Sequence, residues 1–170
     1  MKYRWALLIF IAAFFLQVCV TGGFAVFGAS PNLILCASVI TAFSYQDDTA
    51  GIVLGGLFAL VYDFAFSQTA GVTALAVVLS VLLCIVIRNT FLNSESSLSA
   101  AIVSVVSVVF YYNIYWILLR ISGVNTAYTA MLEKLPMYII LNFIVMFITY
   151  QIMISRVVKH KTDRYRRWAD

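Results

Sequence analysis

Charge is what this sequence has least of: 11% of its 170 residues are Asp, Glu, Lys or Arg, against roughly a quarter in a typical soluble domain. With 64% of the residues apolar, too little polar surface remains to clothe a domain in water, and helices apolar on every side belong in lipid. Histidine occurs once, as His160 among basic residues near the end of the chain, which leaves metal chemistry little to work with. The three cysteines, Cys19, Cys36 and Cys84, each lie in an apolar run with no second Cys or His at ligand spacing. They read as small space-fillers within helices and speak against a disulfide framework. A Ser-His-Asp set and a paired-carboxylate site with a base are both missing, so the expectation is a non-enzymatic protein without a cofactor or metal. The broad basic face of a nucleic-acid binder is missing too, because most of the basic excess behind the net charge of +4 sits in the last residues of the chain.

What is present is a series of apolar runs cut by polar or Gly/Pro punctuation. Six of them come near the length needed to cross about 30 Å of hydrocarbon. They lie at Trp5–Val20, Pro31–Tyr45, Gly51–Phe66, Val72–Ile87, Leu98–Leu119 and Leu135–Ser155. Runs such as Val77 to Leu83 do not alternate in polarity as a barrel strand must. The fold class expected is therefore all-α, an integral membrane bundle of about six transmembrane helices over residues 1–155, followed by a basic cytoplasmic tail at 156–170. A chain of this length has room for one membrane domain, and no soluble catalytic domain is expected. Lys2 and Arg4 before the first run imitate a signal peptide, but the run is long and bulky and lacks a clean small-residue cleavage site directly after it, so a retained span is expected.

Basic residues stay on the cytoplasmic side of short loops. An even number of spans puts both termini on one side. With that side cytoplasmic, Lys2, Arg4, Arg88 and the Arg156–Arg167 tail are inside and only Arg120 and Lys134 are outside. The longest external loop then runs from Arg120 to Lys134. The second and third runs are short and separated by five residues, Gln46-Asp47-Asp48-Thr49-Ala50, which predicts a tight helical hairpin. Ser30 is the expected N-cap of the second helix with Pro31 in its first turn, and Thr49 the expected cap of the third.

Asp63 stands out as a carboxylate inside the otherwise apolar third run. Such a group is costly in lipid and must face the bundle interior or the outer interface and find donors, with Gln68, Thr69, Thr73 or another helix as candidates. It reads either as a proton or ligand site or as a structural carboxylate near a helix end. Gly51 and Gly55, four apart on the same run and followed by Gly56, predict close approach of two helix backbones; no Lys-Ser or Lys-Thr follows, as a phosphate cradle would require. Tyr111, Tyr112, Asn113, Tyr115 and Trp116 sit where an outer aromatic belt belongs, with a partner or ligand surface as the other reading. Asn113 and Asn142 are placed to hydrogen-bond between helices. The basic and aromatic tail is expected to fix topology and to attract anionic membrane lipid, at about 1 kcal/mol per basic residue near the surface.

The pattern Pro31-Asn32-Leu33-Ile34-Leu35, then Gly51-x-x-x-Gly55-Gly56-Leu57, then Tyr62-Asp63-x-x-Phe66-Ser67 and Gly71 ahead of the Ala-rich 72–76 segment resembles the MreD family of rod-shape-determining membrane proteins. The resemblance covers about Pro31 to Phe91, and the ends match in hydropathy. It implies a non-enzymatic scaffold of the cell-wall elongation machinery in the bacterial plasma membrane. Its implied partners are the bitopic protein MreC, the filament protein MreB, the glycosyltransferase RodA and a penicillin-binding transpeptidase. In that frame Pro31, Asn32 and Asp63 match family-favoured positions that support bundle shape or a partner surface. The acidic turn Gln46-Asp47-Asp48 departs from it, since many relatives are basic there. The overall plan also resembles the substrate-binding subunits of energy-coupling-factor vitamin transporters, although Ala6, Ala12 and Ala13 do not form the Ala-x-x-x-Ala docking motif common in their first span.

Overall fold

The computed structural model describes residues 3–21, 28–45, 48–67, 69–91 and 97–166, with side chains described at 6–19, 28–44, 49–67, 69–90 and 97–153. Its elements are six α-helices: α1 Tyr3–Thr21, α2 Leu33–Tyr45, α3 Asp48–Phe66, α4 Val72–Phe91, α5 Ser97–Ile121 and α6 Tyr128–Arg166. The chain is an all-α membrane bundle. Helices α3 to α6 each carry a segment long and apolar enough to span a bilayer.

Its surface is inverted relative to a soluble protein. Large apolar side chains point outward from the ring helices, among them Leu8 and Phe15 of α1, Leu57 and Phe64 of α3, Val86 of α4 and Ile148 of α6. The polar side chains Gln17, Ser38, Thr41, Asp63, Ser80, Ser107 and Asn142 are buried instead. That distribution suits a solvent that cannot hydrogen-bond.

Helix α2 is the axis of the bundle and packs against all five other helices. Every residue from Ile34 to Phe43 is buried. At 13 residues α2 is about 20 Å long, short of the roughly 30 Å hydrocarbon layer. A helix sheathed in protein never meets lipid, so its length is set by its neighbours. Around it run α1, α3, α4, α5 and α6 in that order of contact, and the described residues of α1 and α6 do not meet.

The predicted hairpin of the second and third runs forms, and its glycines explain its closeness. A Cβ on Gly51 would stand 2.8 Å from Ala42 Cβ and 3.1 Å from the Ser38 carbonyl oxygen, and one on Gly55 would collide with the Ser38 side chain. Gly56 faces the other way, where a Cβ would come within 2.9 Å of Val78 on α4. The three glycines thus let α3 lie against α2 on one side and α4 on the other. Several hydroxyls inside the bundle are satisfied within their own helices, as when Ser38 donates to Ile34 O, Ser80 to Ala76 O and Ser104 to Ala100 O, whereas those of Thr41 and Ser107 are buried without a partner. At the end carrying the chain termini, the Arg88 guanidinium of α4 donates to the Ala42 carbonyl near the C-terminus of α2, where a cation also meets the negative end of the helix dipole.

Four expectations need correction. Helix α2 begins at Leu33, so Pro31 precedes the helix and Asn32 is the cap, as the Asn32 carbonyl accepting from Cys36 N at 3.0 Å shows. Ser30 has no capping part. Helix α3 begins at Asp48, which places Thr49 inside its first turn. Helix α6 begins at Tyr128 and carries Pro136 within it, so the loop after α5 spans only 122–127 instead of reaching Lys134. A proline lacks only one backbone donor, and the helix continues through Pro136. The backbone of α6 also continues as helix through most of the 156–170 tail. The side chains of that tail, Lys2, Arg4, Asp47 and Gln68 lie outside the described residues.

Candidate functional site

The polar residues gather at the end of the bundle opposite the termini, in two clusters that share α5. The first surrounds the start of α2, where four backbone N–H groups lack intrahelical partners and are sunk among helices. Asn32 N donates to Asn142 Oδ1 of α6 at 2.8 Å, Leu33 N donates to Gln17 Oε1 of α1, and Leu35 N donates to Asn32 Oδ1 at 3.0 Å. Three amide side chains, that of the cap residue Asn32 itself and one each from α1 and α6, thereby cap one helix. Asn32 Nδ2 extends the cluster to α5 by donating to the Tyr111 hydroxyl at 2.9 Å, and the Cys36 thiol donates to Asn142 Oδ1 at 3.2 Å. Each buried donor left unpaired here would cost about 1–3 kcal/mol. The cluster therefore fixes the mutual placement of α1, α2, α5 and α6.

The second cluster is built on Asp63. Its side chain is 0% exposed, and Oδ2 accepts from Ala74 N, in the first turn of α4, at 3.1 Å. The sequence forces this arrangement. Gly71, at φ +87°, accepts the first intrahelical bond of α4 from Leu75 N and so occupies the N-cap, where it has no side chain to offer. Asp63, one turn before the end of α3, supplies the missing acceptor from across the hairpin and sets its charge at the positive end of α4. The donor comes from another helix's backbone, not from Thr69 or the Thr73 side chain. Oδ1 has no hydrogen-bond partner.

Beside this carboxylate opens a cleft of about 320 Å³, walled by Tyr62, Phe66, Ser67, Thr69, Thr73 and Tyr115. Tyr62 lies against Phe66 with ring centroids 5.4 Å apart. Leu119 and Val124 complete the wall. They are held in place by a C-terminal cap on α5: Val124 N donates to Leu119 O at 3.0 Å and Gly123 N to Arg120 O at 3.2 Å, with Gly123 at φ +85°. A second cleft of about 220 Å³ lies between α5 and α6, with Tyr112, Tyr115, Trp116, Met131, Lys134 and Tyr138 among its lining residues. Tyr115 and Leu119 border both clefts.

The first two residues of the aromatic run on α5 turn into the bundle, and the rest are partly exposed. Tyr111 and Tyr112 are buried, Tyr112 stacks on Tyr138 at 4.2 Å, and Trp116 Nε1 donates to the Thr126 carbonyl at 3.1 Å. The Tyr111 hydroxyl and the Trp116 indole thus find partners inside the protein. Asn113 joins α5 to α6 by accepting from the Tyr128 hydroxyl at 2.9 Å, and Asn142 joins α6 to α2 as expected. Cys36 and Cys84 are buried as space-fillers, whereas Cys19 is exposed on α1.

Of the residues singled out in the sequence, Asn32, Asp63, Tyr62 and Gly71 come together at this end, with Pro31 just ahead of the cap. Gly51, Gly55 and Gly56 lie farther along α3 as packing positions. Gln17 was not singled out as a capping group, although a lone amide in an apolar run signals a buried partner. Comparison with family models, curated proteins and solved structures finds no match.

Proposed function

We propose that this chain is a non-enzymatic scaffold of the bacterial cell-wall elongation machinery, of the MreD kind. It sits in the plasma membrane with both termini in the cytoplasm and binds an MreC-like single-span partner. MreB, RodA and a penicillin-binding transpeptidase are the further members of the assembly in this reading. The observation that carries it is the use made of the residues behind the resemblance. Asn32 caps the central helix, Asp63 caps α4 from across a hairpin, Gly51 and Gly55 bring α3 onto α2, and Gly71 turns α3 into α4. They define the shape of a bundle, which is what a scaffold presents to its partners.

Arg120 and Lys134 fall at the end opposite the termini in this orientation, leaving Arg88 and the basic tail to the cytoplasm. Co-purification in mild detergent tests the reading. A single-span MreC-like protein is expected to accompany the tagged chain at near-stoichiometric yield. Its loss under conditions that keep other wall complexes intact counts against the scaffold.

The two clefts at the far end favour a second reading, a substrate-binding subunit of an energy-coupling-factor type transporter. In that case deletion abolishes uptake of one vitamin and leaves cell shape unchanged.

A further inference from the structure

We propose that the cleft beside Asp63 is a binding site for a small organic cation, a primary or quaternary ammonium of a few carbons, entering from the end of the bundle opposite the chain termini. The inference does not depend on the scaffold reading. Two independent features carry it: a buried carboxylate oxygen without a partner, and an open cleft whose wall includes its chain neighbour Tyr62 and Tyr115, a residue within electrostatic reach of it.

The charge comes first. An ionised Asp63 brings a full negative charge, and the α4 N-terminus it caps offsets about half of one. Its single hydrogen bond, from Ala74 N, uses Oδ2 and leaves Oδ1 bare. The two cations of this end are engaged elsewhere. Arg120 lies 5.5 Å from the Trp116 ring centroid and donates to Asn125 Oδ1 at 2.8 Å, and Lys134 lines the other cleft. Because Asp63 is fully buried, the residual negative field is weakly screened.

The cavity comes second. Tyr62, the chain neighbour of Asp63, and Thr73, the neighbour of its donor Ala74, form part of the wall, so the cleft opens at the same hairpin that the carboxylate fastens. Tyr115, on the opposite side, lies within electrostatic reach of Asp63. The exposed lining is mostly polar, and hydroxyl oxygens of Ser67, Thr69 and Thr73 can accept from an ammonium, with the rings of Tyr62, Phe66 and Tyr115 also in the wall. About 320 Å³ admits a molecule of a few carbons and excludes a drug-sized one.

The test uses the full-length protein in nanodiscs, titrated with methylammonium, ethanolamine and choline, and with 3,3-dimethylbutan-1-ol as the uncharged isostere of choline. Binding is read by calorimetry and by the shift in thermal unfolding. At least one ammonium is expected to bind about tenfold or more tightly than the neutral isostere, and Asp63→Asn is expected to abolish that preference. Should Asp63→Asn fail to fold, Tyr115→Leu serves in its place and is expected to weaken ammonium binding by reshaping the cleft wall, so that unchanged ammonium binding in the folded variant places it elsewhere and overturns the proposal. No charge-dependent binding across the panel overturns the proposal. So does a preference for choline over its isostere that survives in folded Asp63→Asn.

Discussion

The Asp63 carboxylate of α3 accepts the Ala74 N–H of α4 at 3.1 Å, across a turn whose own cap position is the side-chain-free Gly71. A hairpin is thereby fastened by a group that precedes the turn. Asp63→Ala is expected to lower stability by about 2 kcal/mol, as loss of a buried cap does. Asp63→Asn retains an acceptor and is expected to cost about half as much, while still inserting and failing to support cell shape. Unfolding in mixed micelles, beside a complementation assay, measures both. If the asparagine variant inserts and supports shape normally, the charge at this position has no part in function.

At the start of α2, two kinds of bond meet at one residue, and a double-mutant cycle can separate them. Asn142 accepts from the backbone N–H of Asn32, a bond that Asn32→Ala leaves in place. Asn32→Ala with Asn142→Ala is therefore expected to be additive within about 0.5 kcal/mol. Asn32→Ala with Tyr111→Phe removes one side-chain bond from both ends, and a coupling of about 1 kcal/mol is expected.

The glycines make distinct forecasts because they serve distinct ends. Gly51→Ala drives a Cβ to 2.8 Å from Ala42 Cβ, between two backbones that cannot yield, and is expected to cost about 1–3 kcal/mol. Gly71 has open space around its Cβ position but a φ of +87°, so Gly71→Ala costs about 1 kcal/mol of backbone strain and Gly71→Asn less. Comparing the three variants in one unfolding assay separates crowding from strain.

Topology is checked by labelling with a membrane-impermeant maleimide in intact cells, in a Cys19→Ser background that removes the exposed native thiol. Glu133→Cys is expected to label from outside, and Asn89→Cys only after permeabilisation. The reverse pattern would invert the bundle.

Much of the architecture was legible because lipid imposes a harsh filter on sequence. The scarcity of charge, the six apolar runs and the Gly51/Gly55 spacing all follow from having no water to satisfy the backbone, and each appears in the fold. Asp63 was legible as an anomaly for the same reason, though not its donor, because a backbone N–H on another helix leaves no trace in residue type. The cap of α2 was misplaced since Ser30 and Asn32 are both good caps by composition, and only the tertiary partners Gln17 and Asn142 decide between them. Pro136 hid the first turns of α6. The aromatic run on α5 matched a belt in composition, and the inward turn of Tyr111 and Tyr112 depends on partners such as Asn32 and Tyr138 that lie far away in sequence.

The most direct test of the scaffold account is depletion of the protein in its native cell, with cell outline imaged while wall-precursor incorporation is followed along the side wall. The account expects rods to round up and side-wall synthesis to lose its localisation. Rods that keep their shape and instead lose uptake of a single nutrient would contradict it.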